Sequence, residues 1–237
     1  MNFMVRPSKS FLFDMLERQL RNTAGDIGVD AGAADLKNRK MFKTQKYFGL
    51  DIDLDGLRKG VQKHSDGATF GILADLTKLD ALPDNSVDVV VTTNTLHHVP
   101  YPQRNAALKH LCRLTAPQGR FLCELSLDQY FKEALKIMQS YFKNVQIVYY
   151  KNPVSRAYEW IFEKDGYLGS HPIAGRRTFR LFAWLLSRLE YLTCHFPSMN
   201  KHAFIICSDK YSGVKQAFDV SRLALIHENI YDLIQKN

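Results

Sequence analysis

Hydrophobic and polar positions along the chain alternate between two periods. Phe11, Leu12, Met15, Leu16 and Leu20 recur at helical spacing, which predicts a helix over Ser8–Arg21 with Ser8 or Ser10 as its cap. Short apolar runs at Asp26–Ala31, Lys46–Ile52 and Thr69–Leu73 read as strands, with a helical stretch at Leu54–His64 between the second and third. Ser86–Thr92 (SVDVVVT) is the clearest strand, a nearly unbroken β-branched run of the kind buried on both faces of a parallel sheet. A helix over Arg104–Leu114, a turn at Pro117-Gln118-Gly119, a strand over Arg120–Leu125, a helix over Asp128–Phe142 and strands at Val145–Tyr150 and His202–Ser208 complete the series. Strands alternating with helices predict an α/β fold, a doubly wound, mostly parallel sheet with right-handed crossovers.

Residues 151–200 interrupt this rhythm. They are rich in aromatic and basic side chains and lie between the sixth and seventh strands, so they predict a helical cap near the carboxyl edge of the sheet. Its aromatic faces and arginines, Tyr158, Arg176, Arg177 and Arg180 among them, suit a sugar or planar acceptor and an anionic group. Within it, Arg176–Leu192 reads as one amphipathic helix. Arg176, Arg177, Arg180, Ser187, Arg188 and Tyr191 form its polar stripe, and Phe179, Phe182, Leu185, Leu186, Leu189 and Leu192 its apolar face. That pattern serves either a lid whose apolar face is buried or a helix lying at a membrane surface. Val214–Asn237 reads as a helical tail and an oligomer contact. The whole is expected to be a single domain, residues 1–237, with the cap as an insertion.

Candidate chemistry gathers where these strands end, since open α/β sheets bind ligands beyond their carboxyl ends. Gly28-Val29-Asp30-Ala31-Gly32-Ala33-Ala34 follows the first strand with small residues that let a ligand approach the backbone. The second strand ends in Asp51 and Asp53, and an acid about 20 residues beyond a glycine turn is placed to accept hydrogen bonds from ribose hydroxyls. The third ends in Asp75 and Leu76, a carboxylate for an exocyclic amine beside an apolar contact for a base.

From Asp75 to Val99 the chain resembles the class I S-adenosylmethionine-dependent methyltransferases. The residues that carry the resemblance are Asp75, the Leu82-Pro83-Asp84-Asn85-Ser86-Val87-Asp88 run, and the Leu96-His97-His98-Val99 tail. Leu114-Thr-Ala-Pro117-Gln118-Gly119-Arg120 resembles the family's turn before the fifth strand. The resemblance implies S-adenosyl-L-methionine as cofactor and a seven-stranded sheet of order 3-2-1-4-5-7-6 with the last strand antiparallel. It also implies Asp51 at the ribose, Asp75 and Leu76 at the adenine, and Asn94 beside the methionine part. Aligned on Gly32, the first motif departs from the family: Gly28 falls where an acid belongs and Asp30 where a glycine belongs. Such an acid could meet the methionine amine.

His97 and His98, just past the fourth strand, are the candidate catalytic residues, because a base is needed when the acceptor is a hydroxyl. The function expected is O-methylation of a small molecule or a glycan or lipid-linked saccharide. RNA or protein methylation, or a degenerate non-catalytic binding protein, are the alternatives. A dinucleotide dehydrogenase lacks its G-x-G-x-x-G. The net charge of +8 favours an anionic partner, allows peripheral membrane contact through 176–192, and does not exclude nucleic acid. Cys112, Cys123, Cys194 and Cys207 form no CxxC pair and read as reduced, buried thiols, with no metal site expected. With no signal-like or membrane-spanning run in view, the expected compartment is the cytoplasm.

Overall fold

The structure, a computed structural model, describes residues 6–64, 66–162 and 177–227. Its sheet has eight strands in the order β6-β7-β5-β4-β1-β2-β3-β8, which corrects the seven-stranded expectation. These are β1 (Ala24–Ala31), β2 (Lys43–Asp51), β3 (Thr69–Leu73), β4 (Val87–Thr92), β5 (Thr115–Ser126), β6 (Phe142–Tyr150), β7 (His202–Lys210) and β8 (Ala224–Ile226). β1 runs parallel to both β2 and β4, β2 to β3, and β4 to β5. The helices α1 (Pro7–Arg21), α2 (Leu54–Lys63), α3 (Arg104–Leu114), α4 (Phe131–Tyr141), α5 (Pro153–Phe162), α6 (Arg177–Ser187) and α7 (Glu190–Thr193) are interspersed.

The β-branched run reads out as expected: Val87, Val89, Val90 and Val91 of β4 are fully buried, which fits a central strand covered on both faces. β7 returns antiparallel. Tyr211 N–H donates to the Tyr141 carbonyl and Lys201 N–H to the Tyr150 carbonyl, pairing the end of β7 with the start of β6 and the reverse. β8 adds antiparallel to β3 through Gly71, Ile72 and Leu73. So residues 214–227 carry an edge strand and no helix, against the expected helical tail, whose last ten residues lie outside the described ones. Phe218 and His227 explain the attachment: their rings lie 4.8 Å from those of Phe48 and Phe70. The expected turn at Pro117–Gly119 is instead an irregularity inside β5, where Val87 pairs with Thr115 but Val89 with Arg120.

The chain divides into two compact units. The larger comprises Leu20–Leu125, Gln129–Gln146 and Ile206–Asn237 and contains strands β1 to β5 up to Leu125. In it, Arg113 donates to the Leu79 carbonyl, to the Leu82 carbonyl at 2.6 Å and to Asp84 at 2.6 Å, tying the loop before β4 to α3.

The smaller unit holds Met1–Gln19, Ser126–Asp128 and Ile147–Ile205, so the expected cap folds together with the amino-terminal helix. Phe11 of α1 stacks on Tyr150 and meets Tyr191 edge-on at 4.8 Å, while Ser8 donates to Glu159 and Arg188 to Asp14. The single helix expected over Arg176–Leu192 is broken: α6 ends at Ser187, and i→i−3 bonds from Arg188 and Leu189 tighten the chain before α7. The break has a cause in Glu190. Its buried carboxylate accepts the Asn152 N–H at 3.2 Å and the Ser155 hydroxyl, and holding it there turns the helix face. Ala183, Ser187, Glu190 and Cys194 face inward, and Phe182, Leu185, Leu189 and Leu192, four of the six residues of the expected apolar face, are exposed, against the alternative of a lid that buries that face. All four cysteines are buried thiols. Among the described residues, no helix is long and apolar enough to cross a membrane.

The Arg113 guanidinium satisfies four acceptors, the His110 ring nitrogen at 3.1 Å being the fourth, from a largely buried position. Replacing it with Met is expected to lower stability by about 2 kcal/mol or more, read as a shift in the urea midpoint at unchanged slope.

Candidate functional site

A cavity of about 570 Å³ opens at the carboxyl ends of β1 to β4, within the roughly 300–1,000 Å³ typical of small-molecule and cofactor sites. Gly32, Asp51, Asp75, Leu76, Asn94 and His98 all line it, so the structure brings together residues spread over 67 positions of sequence. Gly32, Asp51, Asp75, Leu76 and Asn94 arrive by the same device, at or within three residues of the end of a parallel strand, and His98 follows in the short helical turn Leu96–His98.

The turn after β1 sets the floor. Gly32 (φ +78°) and Ala34 (φ 45°) both adopt left-handed backbone, and a Cβ on Gly32 would sit 2.1 Å from the Thr95 hydroxyl oxygen. Gly32 and Ala33 donate their N–H groups to the Leu50 carbonyl at 2.8 and 3.1 Å, pinning the turn against β2. The close-approach positions of the motif are therefore Gly32 and Ala34, not Gly28 and Asp30. Gly28 lies inside β1, where a Cβ would strike Thr44 and Phe42, so its smallness serves packing and not a cofactor. This moves the motif by two residues and puts Asp30 in the acid's place.

Asp30 does not reach the cavity. It is 1% exposed, accepts the Tyr47 hydroxyl at 2.8 Å and the Asn38 amide at 3.3 Å, and burial pushes its pKa up to about 6. The expected contact with a methionine amine is replaced by a core hydrogen-bond network.

Asp51 ends β2 with both oxygens partly engaged: one accepts the Ala34 N–H at 2.7 Å, the other the Asp53 N–H at 3.0 Å. An ionised carboxylate has about four acceptor positions, so capacity remains for two ribose hydroxyls. Asp53 itself is the cap of α2, accepting the Gly56 N–H at 3.1 Å, and is not part of the cavity lining. Asp75 accepts the Thr77 N–H and hydroxyl at 2.9 and 2.8 Å, bonds that hold its carboxyl below the usual range and keep it ionised as an acceptor. Leu76 beside it is buried.

Asn94 has positive φ (54°), and its N–H is held by the carboxylate of Glu124 at 3.0 Å. Glu124 is buried near the end of β5 and was missed at the level of sequence, although a lone acid in the apolar run Phe121-Leu122-Cys123-Glu124-Leu125 is the signal that marks it. Ile52, Ala74, Thr77, Thr95, Val99, Pro100 and Gln103 also line the cavity and were not anticipated. The histidine rings are 3.9 Å apart, but only His98 lines the cavity.

The residues expected to hold an acceptor belong to the smaller unit. Tyr158 is buried in an aromatic cluster with Phe162, Phe179 and Phe182, so it is a core residue and offers no open face. Arg180 is exposed on α6, and Arg176 and the Arg177 side chain lie outside what is described.

The donor set fits S-adenosylmethionine on its own geometry: a glycine turn where a Cβ would clash, an acceptor-rich acid ending β2, and an ionised acid beside a buried leucine ending β3. Asp51→Ala is expected to weaken S-adenosylhomocysteine binding by roughly 1–3 kcal/mol in a calorimetric titration, since it strands the ribose hydroxyls. Asp30 governs a separate effect. An unfolded aspartate titrates near 3.8 and the folded one near 6, so the folded state holds a proton that the unfolded state has released between those values. Stability falls as pH rises through that window, by about 2–3 kcal/mol, and Asp30→Asn should remove the fall when melts from pH 3.5 to 7 are compared with the parent chain.

Comparison with known proteins agrees with this geometry. Residues 26–123 match the family model described as a methyltransferase domain. No match is found among curated protein sequences. Among solved structures, the chain is similar to the [4+2]-cyclase SpnF, with a TM-score of 0.57 and 12% identity, covering 84% of this chain and 81% of that one. It is also similar to geranyl diphosphate C-methyltransferase from Streptomyces coelicolor A3(2), with a TM-score of 0.54 and 12% identity over 85% and 80% of the two chains. A third likeness is to the complex between the Haloferax volcanii Trm112 methyltransferase activator and a methyltransferase, with a TM-score of 0.53 and 13% identity over 87% and 91%. At these identities the structural likeness shows the fold alone.

Proposed function

We propose, from the premise that residues 26–123 form a class I S-adenosylmethionine-dependent methyltransferase domain, that this enzyme methylates a hydroxyl of a small acceptor and that His98 takes the proton. The observation that carries the reading is the place of His98: it stands in the cavity wall four residues past Asn94, followed by Val99, Pro100 and Gln103 of the same lining. S-adenosylmethionine supplies a methyl on a sulfonium, an electrophile whose departing thioether is neutral.

What the chain adds is position and proton removal. Asp51 accepts from the ribose hydroxyls and Asp75 from the adenine amine, while Leu76 packs on the base. Gly32 and Ala34 keep the backbone close to the methionine part. Glu124 fixes the Asn94 backbone at the same end. A hydroxyl nucleophile loses its proton as the new C–O bond forms, and His98 is the histidine among the lining residues that takes it. His97, for which a proton-transfer role was also expected, is left to hold this corner, its carbonyl accepting from Arg104 at 2.9 Å.

Tyr158, expected among the aromatic faces for a sugar, is buried, while Trp160 of the same cap is exposed. The degenerate reading rested on Asp30 occupying a glycine position; Asp30 lies inside β1, and Gly32 and Ala34 form the turn. His98→Gln is expected to lower turnover about 100-fold with S-adenosylhomocysteine affinity preserved. Unchanged turnover on hydroxyl acceptors would remove His98 from the chemistry.

A further inference from the structure

His98 stands in a segment with little hold on its own shape. Leu96–His98 is a single 3₁₀ turn, closed by the His98 N–H on the Thr95 carbonyl at 2.9 Å and the Val99 N–H on the Leu96 carbonyl at 3.2 Å. Turns this short have poor hydrogen-bond geometry, and their last carbonyls find no partner within the turn. Val99 is then extended ahead of Pro100, which has no N–H with which to continue the winding. The His98 side chain is exposed, so its direction follows that of its backbone.

Arg104 supplies that hold from the same compact unit. It is the first residue of α3, whose inner face of Ala107, Leu108, Leu111 and Leu114 is fully buried, so its backbone is anchored. Its Nε donates to the Val99 carbonyl and one Nη to the His97 carbonyl, both at 2.9 Å. One guanidinium therefore grips the chain on both sides of His98. The guanidinium carbon lies 5.5 Å from the centre of the Tyr101 ring and 5.7 Å from that of Tyr130, and Tyr130 is buried. Two aromatic rings that meet edge-on at 5.9 Å thus hold the cation in place by attraction to their π systems.

The fork is what matters here. A planar guanidinium presents separate donors in fixed directions and reaches two carbonyls at once, whereas an ammonium is a single point. We infer that Arg104 is a positioning residue for His98: it lies outside the cavity lining and acts by fixing the peptide groups that flank His98, so that the imidazole faces the cavity. Proton removal depends steeply on where the base stands, so a brace on this turn is a brace on the chemistry. The inference rests on the reading of His98 as the proton acceptor.

NMR of the full-length chain saturated with S-adenosylhomocysteine tests this without an acceptor. In Arg104→Met the amides of His98 and Val99 are expected to exchange about tenfold faster, while those of Ala34 and Asp53 across the cavity keep their rates. The ring signal of His98, identified by its loss in His98→Gln, is expected to shift, and the affinity for S-adenosylhomocysteine to be preserved. Arg104→Lys should recover only part of the protection. If Arg104→Met loses its native melting transition, Arg104→Lys, which keeps the charge, carries the test. Unchanged exchange with an unchanged ring signal overturns the inference, and so does full recovery by lysine. A loss of protection spread over the whole larger unit overturns it too, because Arg104 would then serve stability alone. The proton-acceptor reading fails in a different measurement, the turnover of His98→Gln.

Discussion

The turn after β1 is the constraint on which the site depends. A parallel strand that ends in a buried core must reverse direction without leaving its N–H groups unsatisfied, and here the chain does so with Gly32 and Ala33 on the Leu50 carbonyl and Ala34 on the Asp51 carboxylate. That bond makes Asp51 a structural partner of the turn as well as a candidate ligand. It fixes the carboxylate in one orientation before anything binds, so its remaining acceptor positions face the cavity at no cost in side-chain ordering. Left-handed backbone at Ala34 is disfavoured for a residue with a Cβ, and the Asp51 bond is what offsets it. The same logic recurs across the opening, where Glu124 holds the N–H of Asn94 at positive φ.

Most of the fold was legible because it is written in local signals. The run Val87–Thr92 could only be a buried strand, and the acids ending β2 and β3 stood where parallel strands place ligands. Legibility failed where a long-range contact decides the outcome. Gly28 and Asp30 look like a ligand turn in one dimension. In three, Phe42 and Thr44 fill the space beside Gly28, and Tyr47 and Asn38 claim the Asp30 carboxyl. Asp53 reads as a second ribose acid until α2 begins beside it and takes it as a cap.

The segment 176–192 failed for a different reason. Amphipathic periodicity places the apolar stripe inward where the core accepts only apolar groups. Here the core of the smaller unit contains polar anchors: Asn152 and Ser155 wait for a carboxylate, and Glu190 answers. Burying one satisfied carboxylate outweighs the inward placement of several leucines because an unmet Asn152 N–H and an unpaired buried acid would both be costly. The leucines of the same stretch are left at the surface, one of the two placements that the periodicity allows and between which it does not decide.

Asp30 shows how the two kinds of demand coexist in one strand. It sits one residue before the end of β1 and two before Gly32, and burial pushes its pKa up to about 6. The negative charge of Asp51 raises it further. Tyr47 and Asn38 lower it by donating to the ionised form. One strand thus meets two demands: Tyr47 and Asn38 hold the Asp30 carboxylate in the core, and two residues on, Gly32 begins the lining of the cavity.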